Sequence, residues 1–212
     1  MLTKKILVTV FVVMACYAAV QGVRLVTGPK GKFFFDKRVS SRAKGNPGAP
    51  LWIVEYLDFQ CPPCRQAGPV LRSYLNKYPS QIYLQARFRP LLVSHVYALK
   101  SALYAECAAD QGKFWVYHDL LFDRQEDWKS ASDPDSLFFG YAKEAGMDLR
   151  KLDKCVHDPA VKERVIAEKD EAVGLGIQTT PTFFVNSKKV VGVQALKEEL
   201  ETFFSKKKEK MS

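Results

Sequence analysis

The pattern of hydrophobic and polar residues predicts two strands joined by a helix between residues 51 and 88. Leu51 to Phe59 is an almost continuous apolar run, typical of a buried strand, and it leads into a helical pattern from Arg65 to Lys77. A second apolar run, Gln81 to Phe88, predicts another strand. Because a helix joins the two strands, we expect a right-handed parallel βαβ unit.

The rest of the pattern predicts a helical block followed by a hairpin and a last helix. From Ser94 to Gly176 the apolar residues recur at helical spacing, with no strand pattern between them. Two short strands and a closing amphipathic helix follow at Thr182–Val185, Lys188–Gly192 and Ala195–Phe204. We therefore predict an α/β fold in which an all-helical insertion separates a βαβ unit from a C-terminal ββα unit.

The N-terminal segment has the pattern of an export signal. Lys4-Lys5 precede an apolar run from Ile6 to Val20, which is the order of charged and apolar regions in a signal peptide. At ~1.5 Å per residue this run is shorter than the ~30 Å hydrocarbon core of a bilayer, although apolar residues beyond Val20 could extend it. We interpret residues 1–22 as a signal peptide or membrane anchor, with lipidation at Cys16 as a further alternative. The expected location is periplasmic or otherwise extracytoplasmic, free or tethered to the inner membrane.

Composition and charge are those of a globular protein. The 212 residues are 47% hydrophobic and 26% charged, which suits a folded core. The net charge of +9 is spread along the chain without aromatic residues interleaved in a basic block, so we expect no nucleic-acid binding. Residues 23–47 form a Gly- and Pro-punctuated linker or N-terminal edge segment, in which Phe33-Phe34-Phe35 predicts a short edge strand, and residues 208–212 form a basic tail.

The cysteines suggest redox chemistry. Of the five, Cys16 lies in the leader, and an oxidising compartment would pair the other four. Cys61 and Cys64 lie where the first strand meets the helix, close enough to bridge, and the helix N-terminus offers N–H groups and a partial positive charge to a thiolate. We therefore predict a reactive Cys61 with a lowered pKa. Cys107 and Cys155 lie in different predicted helices. They could form a disulfide between those helices or remain two separate buried thiols.

Other uses of the Cys61–Cys64 motif fit the sequence less well. A zinc site needs a second pair of ligands at similar spacing, and none is present, so no metal is expected. Covalent haem attachment needs histidine after the second cysteine, where this chain has Arg65. A bridge that closes so small a loop restrains the unfolded chain little, so a purely structural disulfide is also disfavoured. Pro62 suits the first helical position, whereas Pro63 removes a backbone donor near Cys61, so thiolate stabilisation should depend on the helix dipole, the Cys64 N–H and Arg65.

Two motifs together resemble those of thioredoxin-fold proteins. The segment from Cys61 to Pro69 resembles the active-site helix of that fold, including a proline eight residues after the first cysteine, and Thr180-Pro181 resembles its cis-proline loop. With the helical insertion, the chain is most similar to the DsbA-like thiol:disulfide oxidoreductases. The resemblance implies a thioredoxin-like domain formed by residues 48–92 and 177–207, with residues 93–176 as the insertion.

The resemblance also implies roles for individual residues. Cys61 would be the exposed attacking thiol and Cys64 the resolving one. Glu55, six residues before Cys61, matches the buried acid that handles the proton of the resolving cysteine, and Asp58 is the alternative. Relatives with helical inserts often carry an additional disulfide, which is consistent with pairing Cys107 to Cys155. Pro181 would be cis, and an extended substrate would add as a strand at the site formed by Pro62, Pro63, Thr180 and Pro181.

The expected function is that of an exported DsbA-like oxidase, which introduces disulfides into extracytoplasmic proteins through the Cys61–Cys64 pair and needs no other cofactor. Its expected partners are unfolded or reduced exported proteins and a quinone-linked membrane reoxidase of the DsbB or VKOR type, and the protein is expected to be a monomer. Pro63 stands where a strong oxidase typically has histidine. A disulfide reductase or isomerase, in copper handling or cytochrome c maturation, therefore stays open, as does a non-catalytic tethered binding module or chaperone.

Overall fold

The computed structural model describes residues 36–209, and the predicted signal peptide or anchor and Phe33-Phe34-Phe35 lie outside this range. After a 3₁₀ helix at Lys37–Arg42, five strands and eight α-helices follow in the described part of the chain. No helix in this range is long and apolar enough to cross a membrane. The strands are β1 Ala43–Gly45, β2 Leu51–Leu57, β3 Ile82–Phe88, β4 Thr182–Val185 and β5 Lys188–Val191.

The helices fall into two groups. The first and last, α1 Pro62–Lys77 and α8 Val193–Glu209, belong to the βαβ and ββα units that contain the strands. The others form the insertion between β3 and β4: α2 Ala98–Asp110, α3 Phe114–Asp123, α4 Gln125–Lys129, α5 Asp135–Glu144, α6 Leu149–Val156 and α7 Pro159–Gly174.

The sheet has the order β1-β3-β2-β4-β5. Strands β2 and β3 are parallel and joined by α1, whereas β1, β4 and β5 each run antiparallel to their neighbours. Strand β2 is therefore central, and six of its seven residues are buried. This arrangement confirms the predicted α/β fold, with a helical insertion between the βαβ and ββα units.

The N-terminal edge of the sheet differs from the prediction. Within the segment interpreted as a linker, Ala43–Gly45 forms strand β1, which pairs with β3 through Lys44 opposite Leu84. Gly45 has a φ of +95°, and a Cβ at this position would lie 2.3 Å from the carbonyl oxygen of Ile82. Only glycine fits where the chain leaves the edge so close to β3, and this three-residue strand is too short for an apolar periodicity to reveal it.

Two helix boundaries inside the pattern from Ser94 to Gly176 are not visible in the periodicity. The first helix begins only at Ala98, because residues 91–97 form a loop whose backbone and side chains bind the turn before Cys61. Helix α3 ends at Asp123, and α4 follows from Gln125 as a separate short helix. At the first of these boundaries, polar contacts with residues distant in sequence determine where the helix starts.

The apolar core lies on both sides of α1. One cluster combines the start of this helix with the insertion and includes Cys61, Cys64, Phe59 and Phe88. The other packs the remainder of α1 and the apolar face of α8 against the sheet. The N-terminus of α1 is thus fixed where the sheet meets the insertion.

A buried ion-pair network ties the N-terminal segment to the sheet and to the insertion. Arg42 and Arg87 are each 1% exposed, and both contact the carboxylate of Glu168 on α7. Arg42 Nη1 donates to Glu168 Oε2 at 2.9 Å, and the same oxygen accepts the Phe88 N–H at 2.8 Å. Because such charges are costly to bury unpaired, the network holds the 3₁₀ helix, β3 and α7 in one arrangement.

Cys107 on α2 and Cys155 on α6 form a disulfide in the structure. Their Cα atoms lie 5.8 Å apart, and the bridge closes a loop with a sequence separation of 48 residues. Cys107 is fully buried in the insertion's core, so the bridge fixes α6 to the central helix α2.

We predict that replacing both Cys107 and Cys155 by serine lowers the free energy of unfolding by about 4 kcal/mol, which is the chain-entropy value for a loop of this length. Urea denaturation without reductant, with Cys61→Ser and Cys64→Ser present in both proteins, measures the change. A loss below about 1 kcal/mol would contradict a stabilising role for this bridge.

Candidate active site

The two cysteines of the Cys-Pro-Pro-Cys motif occupy different positions at the start of α1. Cys61 is the N-cap residue, in an extended conformation, and its N–H donates to the carbonyl oxygen of Asp58 at 3.1 Å. Cys64 lies inside the first helical turn, where its N–H donates to the Cys61 carbonyl oxygen at 3.1 Å. Both are free thiols. Cys61 was expected to be exposed, but only 5% of its surface is accessible, because the residue packs into the cluster formed with the insertion, and Cys64 is fully buried.

The surroundings of Cys61 favour its thiolate. A hydrogen bond from the Cys64 thiol is the largest cause, and together with Thr180 and the Cys64 backbone N–H it lowers the pKa of Cys61 to about 6. Burial and the negative charge of Asp58 act in the opposite direction. Pro63 leaves this region without one backbone donor, and the thiol of Cys64 supplies the main hydrogen bond instead.

Cys64 is held as a neutral thiol. Burial raises its pKa well above the usual range, and the hydrogen bond to Cys61 and the negative charges of Cys61 and Glu55 add to this effect. The dithiol is therefore unequal: the outer sulfur is ionised at neutral pH and the inner one keeps its proton.

The cis-proline loop lies against the outer sulfur. The peptide bond between Thr180 and Pro181 is cis, and the carbonyl oxygen of Thr180 lies 3.3 Å from Cys61 Sγ. Thr182 Oγ1 donates to the Thr179 carbonyl oxygen at 2.7 Å, and the Gly192 N–H donates to that of Pro181 at 2.9 Å. The strand after the loop, β4, pairs with β2, so the sheet places the loop and the dithiol at the same end.

Glu55 lies behind the dithiol on the central strand. It is 2% exposed, and burial raises its pKa to about 8, while the positive charge of Lys44 opposes this shift. Lys44 comes from edge strand β1, where its ammonium lies 3.8 Å over the ring of Trp115. A carboxyl group with such a pKa is mainly protonated at neutral pH, and when ionised Glu55 adds to the raised pKa of Cys64. Asp58, the alternative acid, accepts hydrogen bonds from three donors instead.

Sequence reasoning missed several residues that fix the turn before Cys61. Gln125 Nε2, at the start of α4, donates to the carbonyl oxygens of Phe59 at 2.7 Å and Cys61 at 3.1 Å. His95, for which the sequence analysis proposed no role, also contacts this turn, with its Nδ1 2.8 Å from Asp58 Oδ2. A single buried glutamine more than sixty residues away carries no local signal, because only the fold brings it to the motif.

Arg65 has a different role from the one predicted. Its guanidinium pairs with Glu126 at 3.5 Å on the exposed side of α1, and the main causes of the lowered Cys61 pKa lie elsewhere. This pair and that of Arg72 with Asp119 border a groove of about 450 Å³ between α1 and the helices α3 and α4. Within residues 36–209 no group of three or more His, Cys, Asp or Glu side chains is arranged to hold a metal ion.

We predict that Cys61 of the reduced protein reacts with iodoacetamide at a rate that rises with pH through a midpoint near 6, because only the thiolate attacks. Peptide mapping by mass spectrometry should find the label on Cys61 and not on Cys64. Cys64→Ala removes the thiol donor and should raise the midpoint. A wild-type midpoint of 8 to 9, the ordinary thiol range, would be inconsistent with this site.

Comparison with protein families and curated proteins identifies related sequences. A family model described as thioredoxin matches residues 37–203. The Na⁺/H⁺ antiporter NhaA 3 of Salinispora tropica is 38% identical over 146 residues, which cover 69% of this chain and 22% of that protein. NhaA of Herminiimonas arsenicoxydans is 34% identical over 149 residues, covering 70% of this chain and 23% of that protein. The chain thus spans less than a quarter of the length of these relatives.

Solved structures share the fold at lower sequence identity. A thioredoxin-like oxidoreductase from Silicibacter pomeroyi has a TM-score of 0.64 and 24% identity, with 78% of this chain and 97% of that chain covered. For α-DsbA1 of Wolbachia pipientis the TM-score is 0.66 and the identity 20%, covering 81% and 94%. BdbD of Bacillus subtilis has a TM-score of 0.65 and 21% identity, covering 76% and 91%. The predicted resemblance to DsbA-like proteins is confirmed at the level of fold.

Proposed function

This chain belongs to the thioredoxin family, and from that premise we propose that it is an extracytoplasmic DsbA-like oxidase that introduces disulfides into other proteins. The observation that carries the proposal is the unequal dithiol, an acidic Cys61 hydrogen-bonded to a neutral, buried Cys64 and facing the cis-proline loop. This arrangement suits thiol–disulfide exchange at the outer sulfur, that of Cys61.

The proposed reaction begins from the oxidised pair. A substrate thiolate attacks the Cys61 sulfur, the Cys61–Cys64 bond breaks, and Cys64 leaves as a thiolate that takes up a proton. A second substrate thiolate then attacks the substrate sulfur of the mixed disulfide and displaces Cys61. The substrate loses two electrons and gains a disulfide, and the Cys61–Cys64 pair gains the same two electrons.

Thiolate stabilisation supports the oxidising direction. Interactions that lower the pKa of Cys61 favour the reduced protein, because they act on the thiolate and are lost when the disulfide forms. A pair whose reduced form is stabilised passes its disulfide readily to substrates. The low pKa also makes Cys61 a good leaving group in the second step.

Glu55 is proposed as the proton donor to Cys64. The leaving thiolate of Cys64 is basic in its buried position, so expelling it without a proton is unfavourable. The carboxyl group of Glu55, with a pKa of about 8, is mainly protonated at pH 7. It can therefore supply this proton in the first step and recover it when the pair is reoxidised.

The proposed partners follow from this chemistry. Substrates are reduced or unfolded exported proteins, whose extended segments would add at the cis-proline loop formed by Thr180 and Pro181 next to Pro62 and Pro63. Reoxidation of the pair requires a disulfide-donating partner, for which we propose a quinone-linked membrane protein. Export by the segment 1–22 belongs to the same proposal. The transport named for the antiporter relatives does not, since the chain spans less than a quarter of their length.

One observation favours the opposite direction of electron flow, in which the protein reduces substrate disulfides: Pro63 has no backbone N–H to donate to the Cys61 thiolate. The reduction potential of the Cys61–Cys64 pair separates the two candidates. We expect a value less negative than about −200 mV in a glutathione redox series, whereas a value near −270 mV, that of thioredoxin, would indicate a reductase.

Cys61→Ser should abolish oxidation of a reduced model protein. If the wild type does not oxidise the model protein and Cys61→Ser binds it as tightly as wild type, the result would instead indicate a binding module.

We predict that Glu55→Gln slows attack of a thiol on the oxidised pair about a hundredfold at pH 7, because a general acid typically contributes at least this much. The proton of wild-type Glu55 is lost as pH rises through about 8, so the difference between the two proteins should shrink above that pH. Stopped-flow fluorescence measures the rate. Glu163→Gln, at an exposed carboxylate, is the matched control. Equal rates for both variants and wild type at pH 7 would exclude Glu55 as the donor.

A further inference from the structure

A buried carboxylate joins the turn before Cys61 to a separate loop. The side chain of Asp58 has no exposed surface, and its Oδ1 accepts the N–H of Gln60 at 2.8 Å. Its Oδ2 accepts the Leu91 N–H at 2.8 Å and lies 2.8 Å from His95 Nδ1. Asp58 therefore contacts the turn that carries Cys61 on one side and the loop of residues 91–97 on the other.

A second contact joins the same two segments. Gln60 Oε1 accepts the Tyr97 N–H at 2.7 Å, so residues 58 and 60 of the turn both bind the loop. Most of the loop's apolar side chains add little to its anchoring, because Leu92, Val93 and Val96 are 45%, 105% and 78% exposed and only Tyr97, at its end, packs against the core. Its position beside the dithiol thus depends on polar contacts, among which those of Asp58 are the most buried.

The charge of Asp58 also reaches the reactive sulfur. Its negative charge acts against ionisation of Cys61. The other ionisable groups around the turn are Cys64 and Glu55 behind the sulfur and the ion pair of Arg65 with Glu126 on the exposed side of α1. His95 differs from them because it contacts the Asp58 carboxylate directly. Its side chain is 20% exposed, so one edge of the pair meets solvent.

We propose that Asp58 and His95 are a positioning pair that sets the reactivity of Cys61: the Asp58 charge restrains the thiolate, and the hydrogen bond from His95 limits that charge. This rests on the proposed function only in taking Cys61 as the attacking thiol. Neither side chain touches the reacting sulfur atoms in this arrangement, although the backbone of Asp58 hydrogen-bonds to Cys64. His95 acts through Asp58, and Asp58 acts through its charge and its hold on the turn.

The pair predicts opposite effects of its two members. Asp58→Asn removes the negative charge, so iodoacetamide should label Cys61 about threefold to tenfold faster at pH 5, where the rate follows the thiolate fraction. His95→Ala leaves the carboxylate without its side-chain donor and should slow labelling about threefold. His95→Asn, which keeps a neutral donor, should recover part of that loss. The double variant of Asp58→Asn and His95→Ala should behave like Asp58→Asn alone.

The test uses the full-length reduced protein, with Cys61 labelling followed by mass spectrometry and thermal unfolding followed in parallel. The matched control is His157→Ala, which should label like wild type. The side chain of His157 is 75% exposed and lies at the end of α6, outside the loop of residues 91–97. If Asp58→Asn does not fold, the ordering of wild type, His95→Asn and His95→Ala carries the test.

Labelling rates that change in the same direction for Asp58→Asn and His95→Ala, or that stay unchanged while stability falls, would overturn the proposal and leave a structural role. The readout involves no substrate protein. An inactive wild type whose variants still label in the predicted order would refute the proposed oxidase and not the positioning pair.

Discussion

The hydrogen bond from the Cys64 thiol to the Cys61 sulfur is the interaction on which the chemistry of this site depends. It requires Cys64 to keep its proton, which deep burial at the first turn of α1 ensures, and it requires Cys61 to lie just outside the helix. Both conditions follow from where β2 ends and α1 begins. The sheet, by placing β2 at its centre, fixes that point against the core on every side.

A stabilised thiolate next to a neutral thiol also explains how a proline can occupy the position before Cys64. Pro63 offers no backbone N–H, and in an exposed site this would leave the Cys61 thiolate with few donors. Here the donors come from Cys64 itself, through its side chain and its N–H, with Thr180 opposite. The missing N–H of Pro63 therefore weakens stabilisation of the Cys61 thiolate less than the motif alone suggests.

Local patterns predicted the parts of the fold that depend on local chemistry. The runs that form β2, β3 and β4 are apolar because these strands are buried, and Leu149–Val156 has helical periodicity because one face packs. The dithiol and Thr180-Pro181 are short motifs whose residue types are required by backbone geometry. By contrast, β1 is held by register and by one glycine, and the start of α2 by contacts with residues 58 and 60. Such features depend on contacts between residues that are distant in sequence, and the periodicity of apolar residues does not predict such contacts.

The insertion forms one side of the candidate active site. The turn from Asp58 to Cys61 could in principle be held by the sheet alone, since its ends are β2 and α1. Yet its side-chain and carbonyl partners, His95, Tyr97 and Gln125, all come from residues between β3 and α5. Replacing Gln125 or His95 by alanine would leave the Phe59 carbonyl or the Asp58 carboxylate buried with one donor fewer, at a cost of about 1 to 3 kcal/mol for each. The insertion and the dithiol turn are therefore one structural unit, and changes in the insertion's polar residues should be read first for their effect on Cys61.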